Sequence, residues 1–265
     1  MTNNAQMQVT VSIVTYNSQY IFKTLDSFKP ILAALPVVIV VHDNGSNADY
    51  VAKLQTYASP QIKIIASGEN LGFGHGHNAT LADTTTPFFL ICNPDIIVNQ
   101  TAFEAMYRVL QADTKQKFGM LTPKIVGPSG DVQYLIRRRL DVFDYMLRFV
   151  PFKFVKRLFN KRLSHYECRD LADIQQPINY GSGAFMFTRT SVIKKISGFD
   201  ERFFMYFEDN DLCDRIRQSG SEIIYVPTAV VTHFYGMASH RSFSGFKIFM
   251  RSMRQYFHKW GWRFF

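Results

Sequence analysis

The chain has 265 residues, 47% hydrophobic and 19% charged, which suits one large α/β domain or two small ones and excludes global disorder. The net charge of +9 sits in two stretches: nine Lys/Arg against Asp141 and Asp144 between Arg137 and Arg162, and six Lys/Arg with no acid from His240 to Phe265. Three cysteines without metal-ligand spacing, a polar start and no apolar run of about 18 residues point to a cytoplasmic chain that does not span a bilayer.

Val9–Val14 is a β-branched run that stops at Thr15-Tyr16-Asn17-Ser18, and Val37–Val41 is a second that stops at the turn cluster His42-Asp43-Asn44-Gly45-Ser46. Ile62–Ala66 and Phe88–Cys92 repeat the pattern, the last ending at Asn93-Pro94-Asp95. Amphipathic stretches near 18–29, 47–57, 75–83 and 100–112 separate them, which predicts βαβ units and a mainly parallel sheet flanked by helices. Farther on, the residues predict a strand over 179–188 and a helix near 191–196. A second helix over 208–219 is closed by Gly220, and strands at 222–226 and 229–232 end at His233. No repeat or low-complexity linker interrupts the chain.

In open α/β sheets ligands bind at the carboxyl ends of the strands, so Asp43 and Asp95 are expected to converge. A lone Asp at a turn is ordinarily a cap; at this crevice it can bind a base or ribose. The glycines of Asn70-Leu71-Gly72-Phe73-Gly74-His75-Gly76-His77-Asn78 let backbone approach a diphosphate at a helix start, although the spacing is not the dinucleotide fingerprint. His75 and His77 read either as metal ligands or, more commonly, as loop and cap histidines. Asp95 suits a divalent cation, and His233 joins it only if the fold brings the two together. Glu208-Asp209-Asn210-Asp211 opens a helix, where acids complement the dipole. The preceding Phe203, Phe204, Tyr206 and Phe207 also supply an apolar surround that raises a carboxylate pKa.

Together these motifs resemble glycosyltransferase family 2, of the GT-A fold, over residues 9–235. The matching elements are Val11–Asn17, Asp43-Asn44-Gly45-Ser46, Asn70–Gly74 through Asn78, Asn93-Pro94-Asp95, Gly181–Phe185, Gly198-Phe199-Asp200-Glu201, Glu208–Cys213 and His233. The NPD form and the Phe204–Cys213 block are most similar to bacterial rhamnosyltransferases of O-antigen and surface-polysaccharide biosynthesis. The resemblance implies an inverting transferase that moves L-rhamnose from dTDP-rhamnose to a saccharide on a polyprenyl diphosphate. UDP-galactose, UDP-glucose and UDP-galactofuranose remain alternative donors. Thr15, Tyr16, Asn17 and Asp43 would bind the nucleoside, with Asn70, Gly72, Phe73, Asn78 and Asn93 beside the donor. Asp95, as the last acid of the family's DxD motif, would bind Mg2+ or Mn2+ with His233; Asn93 stands where the family commonly has the first acid. Asp209 would be the general base and Glu208 would position the acceptor. The implied organisation is a catalytic domain over 1–239, divided into a donor half (1–98) and an acceptor half (99–239) with a basic insertion at 137–169. A basic aromatic segment follows at 240–265.

Both basic stretches interleave cations with aromatic residues. Helices packing on the core with solvated cations explain this, and so does binding to an anionic membrane surface, which would make the protein peripheral on the inner face of the cell membrane. Nucleic-acid binding is the rival meaning of such patches and leaves the strand-end acids unexplained. A non-catalytic sugar-binding module is the other rival class, and it would need no base.

Overall fold

In a computed structural model, which describes residues 7–150, 152–234 and 243–265, the first β-branched run is β1 (Val9–Thr15), buried at every position. A strand covered on both faces reads as continuous apolar sequence because it has no solvent side. β2 (Val37–Asp43), β3 (Ile62–Ala66) and β4 (Phe88–Cys92) lie parallel in the order β3-β2-β1-β4. The crossovers carry α1 (Ile21–Ala34), α2 (Ala48–Gln55) and α3 (Phe73–Ala82).

Past β4 the chain continues through β5 (Ile96–Val98), α4 (Gln100–Ala112) and β6 (Phe118–Val126). The basic insertion folds as three short helices, α5 (Val142–Phe149), α6 (Lys153–Leu158) and α7 (Asn160–Tyr166). β7 (Gln176–Ile178), β8 (Phe185–Arg189), α8 (Thr190–Lys195), α9 (Glu208–Gln218), β9 (Glu222–His233) and α10 (Phe243–Trp260) complete the chain. The sheet runs β3-β2-β1-β4-β8-β6-β9-β5, with β7 also on β9. It is mostly parallel: β8 enters antiparallel between β4 and β6, and β5 and β7 pair antiparallel with β9.

Three expectations change. The strand expected over 179–188 is split, with residues 179–184 forming a loop between β7 and β8. The strands expected at 222–226 and 229–232 are one strand, whose pairing with β6 shifts register between Pro123 and Lys124. β5 and β6 were not anticipated. The boundary expected at 239–240 lies outside the described residues.

Side-chain alternation divides the core. Phe88, Leu90 and Cys92 join one cluster with Phe28 and Phe103, whereas Phe89 and Ile91 join another with Phe199, Phe207, Leu212 and Phe257. α10 belongs to the second cluster through Phe249, Met253, Tyr256 and Phe257, all buried. The apolar face of this basic helix is therefore core.

Candidate active site

The ends of β1 and β2 are laced together by polar groups. The Asn44 amide donates to the Thr15 carbonyl at 2.8 Å, and Thr15 Oγ1 bonds the Tyr50 hydroxyl, whose pKa burial pushes up to about 12. Asn17, at φ +49°, accepts from the Asn47 amide and side chain and donates its own N–H to Ser46 Oγ. Tyr16 beside it is exposed. Asp43 is 1% exposed; its Oδ2 accepts from the Ser46 amide, while Oδ1 is buried without a hydrogen-bond partner. A buried, half-satisfied carboxylate at a strand end can receive a donor such as an imide N–H or a ribose hydroxyl.

The glycine loop meets this corner from one side and the acidic helix from the other. Asn44 Nδ2 donates to the Gly72 carbonyl at 2.9 Å, and the Gly72 amide donates to Asn70 Oδ1. Gly72 sits at φ +99°, and a Cβ there would lie 2.5 Å from the Phe204 carbonyl, which accepts from the Phe73 amide. Only glycine permits that approach. Asn78 stands apart, because its amide is used in full on the Phe199 backbone and on Glu201. His77 accepts or donates at 2.7 Å to Ser12 Oγ and is wedged between Phe73 and Phe199; burial depresses its pKa to about 3. Among the described residues no group of three or more His, Cys, Asp or Glu clusters as a metal site.

β5 aligns Ile96 with His233 on β9, which sets the preceding Asp95 against His233. Nε2 of His233 lies 3.3 Å from Asp95 Oδ1. Gln133 grips the histidine twice, donating from Nε2 to its carbonyl and presenting Oε1 to Nδ1, each at 2.9 Å. An amide oxygen can only accept, so Nδ1 carries a proton. Asp95 Oδ1 lies within ion-pair distance of the ring but makes no hydrogen bond. A carboxylate and an imidazole set this close are donors of the kind that hold a divalent cation. Asn93 is fixed nearby through its amide, which donates to the Ala184 carbonyl at 2.9 Å.

The opposite wall is the start of α9. Tyr206 and Phe207 enter it at φ +71° and +66°, conformations that cost an aromatic residue free energy. Asp209 Oδ2 accepts from the Gly183 amide at 3.1 Å, and Oδ1 accepts from the Asn210 amide and side chain. Burial raises the pKa of Asp209 despite these bonds and the Arg137 charge, and raises that of Glu208 well above the usual carboxylate range. Glu208 Oε2 is buried without a partner. A Cβ on Gly183 would lie 3.3 Å from Asp209 Cβ and 3.6 Å from the Phe73 ring, so the glycine loop and the candidate base share one small space.

A cavity of about 260 Å³ lies to one side, lined by Thr122, Lys124, Gln133, Tyr134, Asp173 and Ser182 among others. Gln133 connects it to His233, and Ser182 adjoins the Gly183 amide that holds Asp209. Gln133 and Gly183 are the functional positions that the motifs did not single out by role. Gly183 lay within a quoted motif, whereas Gln133 carries no signal in the sequence.

The family described as "Glycosyltransferase like family 2" matches residues 6–257. The N-acetylglucosaminyl-diphospho-decaprenol L-rhamnosyltransferase of Mycobacterium tuberculosis is 31% identical over 75% of this chain, which spans 66% of that relative's length. Rhamnosyltransferase WbbL of Escherichia coli is 26% identical over 77% of this chain and 75% of its own. The crystal structure of GalNAc-T7 with UDP, GalNAc and Mn2+ superposes with a TM-score of 0.65 at 14% identity, covering 95% of this chain and 48% of that one.

Proposed function

Since the chain belongs to the glycosyltransferase-like family 2 and has the GT-A fold, we propose that it transfers a sugar from a nucleotide donor to a saccharide acceptor with inversion at the anomeric carbon. The observation that carries the proposal is Asp209: a half-buried carboxylate, unpaired with any cation among the described residues, held by the Gly183 amide beside the glycine loop. Direct displacement needs one base, and a carboxylate whose pKa is raised by burial is a stronger one.

In this reading Asp43 Oδ1 receives the nucleobase or ribose, with Thr15, Tyr16 and Asn17 beside it. Asn70, Gly72 and Phe73 border the donor. Asn78 acts on the donor pocket through residues 199–201, and Asn93 contributes through the loop it anchors. Asp209 takes the proton from the acceptor hydroxyl as that oxygen bonds to the anomeric carbon and the bond to the diphosphate breaks. Glu208, buried beside Asp209, would position the acceptor. Asp95 and Nε2 of His233 would hold Mg2+ or Mn2+. Such an ion, when bound, neutralises charge on the departing nucleoside diphosphate.

The rhamnosyltransferase relatives make dTDP-rhamnose the first donor to test, with UDP-galactose, UDP-glucose and UDP-galactofuranose next. The name of the M. tuberculosis relative describes an acceptor sugar on a polyprenyl diphosphate. The cavity beside Gln133 and Ser182 has room for one pyranose ring, and Lys124, Asp173 and Tyr134 offer hydrogen bonds to hydroxyls. A screen of these donors for thermal stabilisation, with and without Mg2+ or Mn2+, tests the reading. Stabilisation by dTDP-rhamnose supports it. A different donor would shift the substrate, and no response to any would remove the function. Retention of the donor's anomeric configuration in the product, read by NMR, would exclude the single-base mechanism.

A further inference from the structure

We infer that the basic insertion and the residues after α10 form one docking face for an anionic lipid surface. The inference deepens the reading above, in which the acceptor rides on a lipid. The two segments lie over a hundred residues apart in sequence, yet they are joined by backbone: the Val142 amide donates to the Arg263 carbonyl at 2.9 Å and the Phe143 amide to the Phe264 carbonyl at 3.3 Å. Phe143 then touches both Phe159 and Phe265, at ring separations of 5.2 and 5.3 Å.

What this face exposes is unusual for a soluble surface. Phe154, Leu158 and Phe265 are 71%, 78% and 73% exposed, with Phe152 and Phe264 also outward. Phe154 and Leu158 are four apart on α6 and share one side of it. Exposed apolar groups gathered in this way mark an interaction site.

The charge beside them selects the occupant. Asp141 and Asp144 are turned inward, their side chains 0% and 4% exposed, and both are held by Arg162. No other acid occurs from Tyr145 to Tyr166, and none follows Glu222. Arg157, Lys161 and Arg263 are exposed beside the rings. Apolar groups at headgroup depth with uncompensated cations fit anionic phospholipid. A second copy docking through the same patch would set cation against cation. No helix among the described residues is long and apolar enough to cross a membrane, so the contact is one of lying on the surface.

The test is co-sedimentation of the full chain with vesicles of phosphatidylcholine alone and of phosphatidylcholine mixed with phosphatidylglycerol. Preference for the mixed vesicles, weakened by salt, is expected. Replacing Arg157, Lys161 and Arg263 by Gln should reduce partition onto the mixed vesicles on the order of 100-fold. Replacing Phe154, Leu158 and Phe265 by Ser should reduce it at least about 10-fold. All six positions are solvent-facing, and an unchanged melting temperature verifies folding. Equal partition onto both vesicles, or partition untouched by either triple variant, overturns the inference. So does self-association through the patch, or tighter binding to RNA than to vesicles. Vesicle binding is read without any transfer reaction. Binding without donor recognition would keep this face and remove the function, and transfer without vesicle binding would do the reverse.

Discussion

The acids of α9 sit in opposite circumstances along the helix. Asp211 is buried against Arg215 at 2.7 Å, Lys259 at 2.6 Å and the Trp260 N–H at 2.8 Å; Asp214 is buried against Arg217 and the hydroxyls of Tyr180 and Tyr256. Glu208 and Asp209, one turn earlier, have no ion-pair partner among the described residues, and burial raises the pKa of both. The same helix thus uses one pair of carboxylates as a fastening for α10 and leaves the other pair electrostatically dissatisfied. Dissatisfied groups destabilise a fold, and such shifted carboxyls cluster at functional sites.

Substitutions can break this contrast. Asp209→Asn should lower transfer by about 10³-fold or more while donor-induced thermal stabilisation persists; turnover like that of the parent chain would return Asp209 to the structural class. Asp211→Asn or Asp214→Asn should leave cations and hydroxyls buried without their partner, at about 3–5 kcal/mol of stability by urea unfolding. A neutral result at both would erase the distinction.

Asp95 extends the comparison, since its partner is a histidine clamped by Gln133. Gln133→Ala frees the imidazole to turn, and Mn2+ affinity in the presence of nucleoside diphosphate, read from the paramagnetic signal of free ion, should weaken about 10–100-fold. Unchanged affinity would show that the clamp does not set the site. The smallest effect has the opposite sign. Glu208→Gln removes a buried carboxyl that binds its proton more tightly folded than unfolded, and should raise stability by about 1–3 kcal/mol near neutral pH.

The pH dependence follows from the direction of the shift. A carboxyl whose folded pKa is raised binds its proton more tightly when folded, so its favourable contribution is present below the ordinary value of 4.5 and is lost as pH rises through the folded value. The advantage of Glu208→Gln should accordingly vanish below about 4.5 and grow above it. If Asp209 is the base, transfer should rise with pH along an acid limb placed above 3.8. An advantage independent of pH would break the assignment.

Sequence reading succeeded where chemistry interrupts an apolar strand. Thr15, Asp43 and Asp95 all follow abrupt ends of such runs, and the sheet order brings those ends together. It failed at β6, where Gly119, Thr122, Pro123 and Lys124 break the pattern that strands usually show. The gap between the strands expected at 222–226 and 229–232 holds Pro227, which the register shift opposite Pro123 and Lys124 accommodates within one strand. The small residues 181–184 read as strand and instead turn the Gly183 amide toward Asp209. Gln133 was invisible because its role depends on a partner a hundred residues away. Periodicity also could not tell whether the apolar face of α10 meets core or lipid, since both demand the same spacing.

Phe207 has a consequence beyond local strain. Its ring lies 4.5 Å from that of Tyr145, 5.4 Å from those of Phe249 and Tyr256, and 6.3 Å from that of Phe257, and this packing keeps its backbone left-handed immediately before Glu208 and Asp209. If Asp209 is the base, its aim is set by aromatic side chains of α5 and α10. A selection for altered rate should recover substitutions at those rings as readily as at the cleft, and these variants would change the reaction's tempo while leaving its choice of substrate intact.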